Sequence, residues 1–173
     1  RLMAGADTRA TARALASAAE KLGPFDAVFC GCKAIDGETG QVPGELAAAL
    51  GLPCISNAEK VEAAGDRLLV TRRLEDGVQN LTVSGSAVIS FSSYSYPLRL
   101  AGILGMRRAR KTPVEILTAA DLGLTPEDCG LKGSLTKVVA MESRFPGLRR
   151  GPKETDLDAG VQNLRVLLRE VRP

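Results

Sequence analysis

The sequence predicts an α/β fold: a three-layer, mostly parallel, Rossmann-like sheet with an added β-hairpin. Three observations carry this reading. A helical pattern stops at Gly23-Pro24 and a short apolar run follows at once. That run empties into a glycine-rich loop that opens a second helix, and period-two alternation later brackets Asp76-Gly77. Helix, strand, loop and helix make the parallel half; the alternation makes the antiparallel addition.

Each element has a local cause. Asp7 or Thr8 caps a helix over residues 9–22, with Leu15, Ala18, Ala19 and Leu22 on one face. Residues 26–30 form a buried strand, and a second helix spans residues 45–50, ended by Gly51 and Pro53. Residues 54–60 read as another strand, residues 66–83 as a hairpin, and residues 87–91 as a central strand covered on both faces. Residues 113–119 suit a short extended segment and residues 120–128 a loop with a capped turn. From residue 130 to 153 the chain is rich in Gly, Lys and Arg without core periodicity, which predicts a surface-wrapping arm. A last helix over residues 155–171 places Leu157, Val161, Leu164 and Leu168 on one side, a stripe that needs a cover. Two domains are expected, residues 1–119 and residues 120–173.

Composition narrows the chemistry. With 45% apolar and 25% charged residues, the 173-residue chain is expected to be soluble and globular, and no apolar run reaches membrane-spanning length. A formal charge of +3 and 3% aromatic residues provide neither a basic groove nor a stacking platform for nucleic acid. No secretory leader pattern is present, so a cytoplasmic location is expected. The sequence has no His, which removes the commonest general base and the usual Ser-His and Cys-His pairs. Cys30, Cys32, Cys54 and Cys129 lack the spacing of a structural zinc site, so no metal is expected.

The loop after the first strand, Gly31-Cys-Lys-Ala-Ile-Asp-Gly-Glu-Thr-Gly-Gln-Val-Pro-Gly44, has the order of a phosphate cradle. Gly37 and Gly40 permit close backbone approach, and the first free N–H groups of the next helix attract an anion. Its string Ala34-Ile-Asp-Gly-Glu-Thr-Gly-Gln41 closely resembles the nucleotide-binding signature of the electron transfer flavoprotein beta subunit, including its nitrogen-fixation relatives. Further segments match in the same order: Gly5-Ala-Asp-Thr-Arg-Ala-Thr-Ala12, Arg73-Leu-Glu-Asp-Gly77, Lys111-Thr-Pro-Val-Glu115, Ala120-Asp-Leu-Gly-Leu124 and Gly130-Leu-Lys-Gly-Ser134.

The resemblance implies an electron-carrier subunit rather than an enzyme. It would pair with an alpha subunit that holds most of a redox FAD, and would itself bind AMP or a second FAD. Gly31, Ala34, Ile35, Asp36, Thr39, Gly40, Gln41 and Val42 would line that site. Gly40, Gln41 and Val42 would donate to phosphate, Asp36 and Thr39 would brace the loop, and Ala34 with Ile35 would face the adenine. Pro43 stands ahead of Gly44, where the family usually has glycine first, so one amide is lost. Leu100, Ile103, Arg107 and Arg108 would dock a flavoprotein dehydrogenase of the acyl-CoA dehydrogenase type, Ile103 at the family's partner-anchoring position. The family's first strand, first helix and an adenine-contacting segment have no counterpart in this sequence. A stand-alone adenine-nucleotide module of the universal-stress type would use the same cradle, but should lack the long hairpin and the tail.

Overall fold

The structure, a computed structural model, describes residues 5–92, 95–140, 142 and 155–170. The chain divides into two compact units, Arg1–Lys137 and Val138–Pro173. The first therefore runs past residue 119, where the sequence suggested a boundary.

Alanine spacing and one carboxylate shape the first helix. Asp7 caps α1, Thr8–Leu22, by accepting the Ala10 N–H at 2.9 Å. Ala12 and Ala16 pack with Leu46 and Ala47 of α2, Val42–Leu50, and with Val88 of the sheet. Ala10 and Ala14 are buried as well, on a second stripe of the helix. The expected apolar face is thereby corrected. Leu15 and Leu22 lie exposed, because small side chains let neighbouring backbones come close on two sides of the helix.

The chain returns along that second stripe. Lys21 Nζ donates to the Asp121 carbonyl at 2.8 Å, and Arg13 pairs with Asp128 at 2.7 Å. Asp7 Oδ2 accepts the N–H groups of Leu135 and Thr136 at 2.8 and 2.9 Å, while the Asp7 amide donates to Ser134 Oγ at 2.8 Å. Residues 113–118 form neither a helix nor a sheet strand. Two 3-10 turns, Ala120–Leu122 and Pro126–Asp128, follow instead, then a short helix α4, Gly130–Gly133. Each 3-10 turn is fixed by a Thr-x-x-Asp pair: Asp121 accepts from the Thr118 amide and hydroxyl, and Asp128 from those of Thr125. Of the expected arm at 130–153, residues 130–136 are thus tied to α1. Residues 141 and 143–153 lie outside the described residues.

Five strands form one mixed sheet in the order β1-β5-β2-β3-β4: β1 Ala27–Gly31, β2 Cys54–Ala64, β3 Arg67–Leu74, β4 Gly77–Ser84 and β5 Ala87–Phe91. β1, β5 and β2 run parallel, with Val28 opposite Val88 and Val88 opposite Cys54. The hairpin sits where the alternation put it, Leu74 pairing with Gly77 across Glu75-Asp76. β2 is longer than its sequence signal because it bends. Asn57 takes φ 59, and the register shifts on both sides of it. A left-handed Asn inside a strand marks a bulge that kinks and twists the sheet.

Beyond the bend, the hairpin curls so that Val70 and Val83 share a core with Ile55, Ala58, Ala87 and Ile89. These face away from α1 and α2, because strand side chains alternate and Val88 faces the helices. The helical layer thus covers one face and the curled hairpin covers part of the other, in place of a second helical layer among the described residues. In the second unit, α5 spans Leu157–Glu170 with Leu157, Val161, Leu164 and Leu168 exposed.

Four hydrogen bonds hold the Asp7 carboxylate, the Ala10 amide contributing most, and lower its pKa from 3.8 to about 2. The folded value lies below the unfolded one, so this stabilisation is complete above about pH 4 and is lost as pH falls through about 2. Asp7→Ala should cost about 1–2 kcal/mol at neutral pH. In urea melts, the gap from the parent protein should close as pH falls through that window.

Candidate functional site

β1 and β5 are parallel neighbours with Gly31 opposite Phe91, so the segments that follow them leave the same end of the sheet. That end is where open α/β sheets place ligands. The loop over residues 32–41 leaves β1 there; residues 92–102 leave β5 and lead to α3, Ile103–Lys111.

The loop holds its own shape. The Glu38 amide donates to the Ala34 carbonyl at 3.0 Å, and Asp36 Oδ1 accepts the Gly37 amide at 2.9 Å. The contact runs to the adjacent amide, not to the one two residues on that defines an Asx turn. Lys33 Nζ lies 3.3 Å from Glu38 Oε1. Two residues are left-handed, Glu38 at φ 50 and Gly40 at φ 64. A Cβ at Gly40 would meet the Cys32 carbonyl oxygen at 3.4 Å, so the chain doubles back tightly just before α2. Gln41 occupies the N-cap position of that helix.

α2 begins earlier than its sequence signal, at Val42 rather than Glu45. Pro43 fits the first turn, where a missing N–H costs nothing. The ladder starts with the Glu45 amide donating to the Gln41 carbonyl at 3.1 Å, which leaves the Val42 and Gly44 amides ahead of it. Every expected cofactor-lining residue falls on this path. Gly31 closes β1; Ala34, Ile35, Asp36, Thr39 and Gly40 form the loop; Gln41 caps α2 and Val42 begins it. All are exposed except the half-buried Val42, and Ile35 stands 94% exposed.

Sequence reasoning missed what steadies the helix start. Thr8 Oγ1 lies 3.2 Å from Gln41 Oε1 and 3.1 Å from Glu45 Oε1. One hydroxyl proton cannot serve two acceptors. The consistent arrangement turns the Gln41 amide so that its nitrogen donates to Thr8, which donates to Glu45. Glu45 Oε2 is shielded and has no hydrogen-bond partner among the described residues, beside a groove lined by Arg9, Arg13, Ser17 and Glu20. Contacts spanning 33 and 37 residues leave no local pattern to read.

The second expected surface is also laid open. Phe29, Phe91 and Tyr96 form successive edge-to-face contacts at 5.2 and 5.6 Å, and Tyr96 Oη accepts the Val61 amide at 2.9 Å. Ser95 Oγ donates to the Ala58 carbonyl at 3.1 Å, pinning the exit from β5. Beyond it the chain stands free of the core: Leu100 is 86% and Ile103 69% exposed, and α3 buries no residue. Arg107 and Arg108 are exposed as well; Arg108, Arg110 and Lys111 fall in the last turn, where cations complement the helix dipole.

Burial raises the pKa of Cys30 and of Cys54, which keeps both protonated. Among the described residues, no three potential metal ligands cluster and no helix is long and apolar enough to cross a membrane.

A mixed sheet whose first strand runs through a glycine loop into a helix amino terminus defines an α/β protein with backbone amides at the start of α2 ahead of the helical ladder. Comparison with known proteins is narrower. Residues 1–122 match the electron transfer flavoprotein domain family. The chain is 42% identical over 167 residues to electron transfer flavoprotein subunit beta of Thermoanaerobacterium thermosaccharolyticum, covering 95% of this chain and 63% of that protein. It is 36% identical over 166 residues to Protein FixA of Azorhizobium caulinodans, covering 91% and 58%. Against the caffeyl-CoA reductase-Etf complex subunit CarD of Acetobacterium woodii it is 33% identical over 138 residues, covering 80% and 53%. The chain belongs to the electron transfer flavoprotein beta subunit family. It spans 53% to 63% of the length of these relatives.

The loop geometry makes a contrast between two glycines. Gly40→Val should cost about 1–2 kcal/mol in thermal or urea melts, since a β-branched residue resists φ 64. Gly37→Ala should be nearly neutral: its φ is not positive and an added Cβ meets nothing within 4 Å.

Proposed function

We propose that this chain is the beta-type subunit of a two-subunit electron transfer flavoprotein that carries electrons between flavoprotein dehydrogenases and an acceptor. The observation that carries the reading is left-handed Gly40 immediately ahead of α2, inside the family match. It brings backbone N–H groups to one point without a side chain in the way. An adenylate, AMP or the adenylate half of a second FAD, fits that arrangement. The amides of Gly40, Gln41 and Val42 would hold its phosphate, and Gly44 adds a further donor at the helix start. Asp36 and Thr39 would brace the loop, Gly31 would admit the ligand over the strand end, and Ala34 with Ile35 would flank the adenine. The 94% exposure of Ile35 suits a side chain covered only by ligand or partner.

In this reading the chain positions and does not catalyse. The redox FAD, held mainly by an alpha subunit, supplies the electron chemistry. The Rossmann-like character of the sheet would be shared with the family fold. Residues 120–137 belong to the first unit, so the arm wrapping the partner would begin at residue 138, its last helix offering Leu157, Val161, Leu164 and Leu168. Leu100 and Ile103 would anchor a flavoprotein dehydrogenase of the acyl-CoA dehydrogenase type, with Arg107 and Arg108 steering its approach. A stand-alone universal-stress-type module is disfavoured by the curled hairpin. A cytoplasmic setting suits this role.

Nucleotide extraction and an absorption spectrum of the purified complex test the reading. AMP or FAD should be recovered at one per beta-type chain beyond the redox flavin, and Gly40→Val should abolish its retention while far-UV circular dichroism stays unchanged. Equal nucleotide content in the variant would place the cradle elsewhere. For docking, Ile103→Ala should slow stopped-flow electron transfer with little salt dependence. Neutralising Arg107 and Arg108 should lower the association rate most at low ionic strength.

A further inference from the structure

We propose that Lys33 sets the ligand preference of this loop by exchanging the Glu38 carboxylate for a ligand phosphate, so that the site selects phosphorylated adenosine over adenosine. The inference rests on the reading of the loop as an adenylate site and adds a residue to it.

The argument begins with charge. Between Lys21 and Lys60 the sequence contains one cation, Lys33. The loop and first turn of α2 carry three carboxylates, Asp36, Glu38 and Glu45. Backbone amides and the helix dipole attract an anion, but these carboxylates repel it within a Debye length. One mobile cation at the mouth offsets that repulsion where the phosphate charge would lie. Arg13, on the neighbouring helix, is already engaged by Asp128 at 2.7 Å.

Geometry puts Lys33 within reach. A Cβ built at Gly40 would lie 4.0 Å from the Lys33 Cβ, so its four-carbon stem starts beside the turn that delivers the amides. Its ammonium rests against Glu38 at 3.3 Å, with the two side chains 49% and 63% exposed. So exposed a pair is weak and gives way readily to a better anion. A phosphate that also accepts backbone N–H groups is a better anion. Glu38 therefore serves as a placeholder that holds Lys33 over the loop while no phosphate is present.

The test uses the purified protein in its native complex, stripped of nucleotide, with AMP and adenosine as probes in calorimetric titrations at low and high ionic strength. Wild type should prefer AMP. Lys33→Gln should weaken AMP about tenfold and flatten its salt dependence, with adenosine unchanged. Lys33→Arg should keep most AMP affinity, and Glu38→Gln should raise it several-fold by releasing the lysine. Both sites are exposed, and matched melting temperatures would show that the three variants fold alike. AMP binding by Lys33→Gln equal to wild type overturns the proposal while leaving the adenylate reading intact. Wild type that binds neither probe overturns both.

Discussion

The Asp7 carboxylate joins the start of α1 to chain that returns more than 125 residues later. One oxygen starts α1, the other accepts from the backbone and hydroxyl of residues 135 and 136, and its amide reaches Ser134. The next residue, Thr8, touches Gln41 and Glu45 at the start of α2. Two consecutive residues thus fix the relative placement of one helix start, the other helix start and the returning chain. A hydrogen-bonded carboxylate is well suited to the task, since it takes several donors at once and tolerates little displacement.

This arrangement explains why α1 is built from alanine. A helix approached from two sides by backbone has room for methyl groups and little more, and Ala10, Ala12, Ala14 and Ala16 meet that limit. Arg13 and Lys21 then reach the returning segment at intervals along the helix. The same geometry steadies the loop before α2, because α2 can shift only if α1 shifts with it.

Much of the fold was legible in the sequence because its causes are local. Asp7 as a cap and Gly23-Pro24 as a stop act through near neighbours, and so does the hairpin alternation, although its turn falls at Glu75-Asp76, one residue ahead of the expected Asp76-Gly77. The cradle residues too lie on one continuous stretch, so their order alone brought them together. What escaped depended on distance in sequence. The apolar face of α1 was misjudged because large side chains were weighted over small ones that permit close packing. The length of β2 was underestimated because a left-handed Asn57 lets the strand continue in a new direction. The Thr8, Gln41 and Glu45 contacts bridge elements that the sequence shows only separately.

The two borders of the sheet differ in character. β4 presents Gln79, Asn80, Thr82 and Ser84, which leave a polar border. β1 runs Ala-Val-Phe-Cys-Gly without a charge, and Phe29 is 58% exposed beside an apolar hollow lined by Val61, Ala63, Leu68, Phe91 and Tyr96. An uncharged border strand with unused N–H and C=O groups is a template for one more strand. Lacking the lysines, prolines or bulges that blunt such borders, β1 would recruit a further strand from its own assembly or pair with another copy of itself.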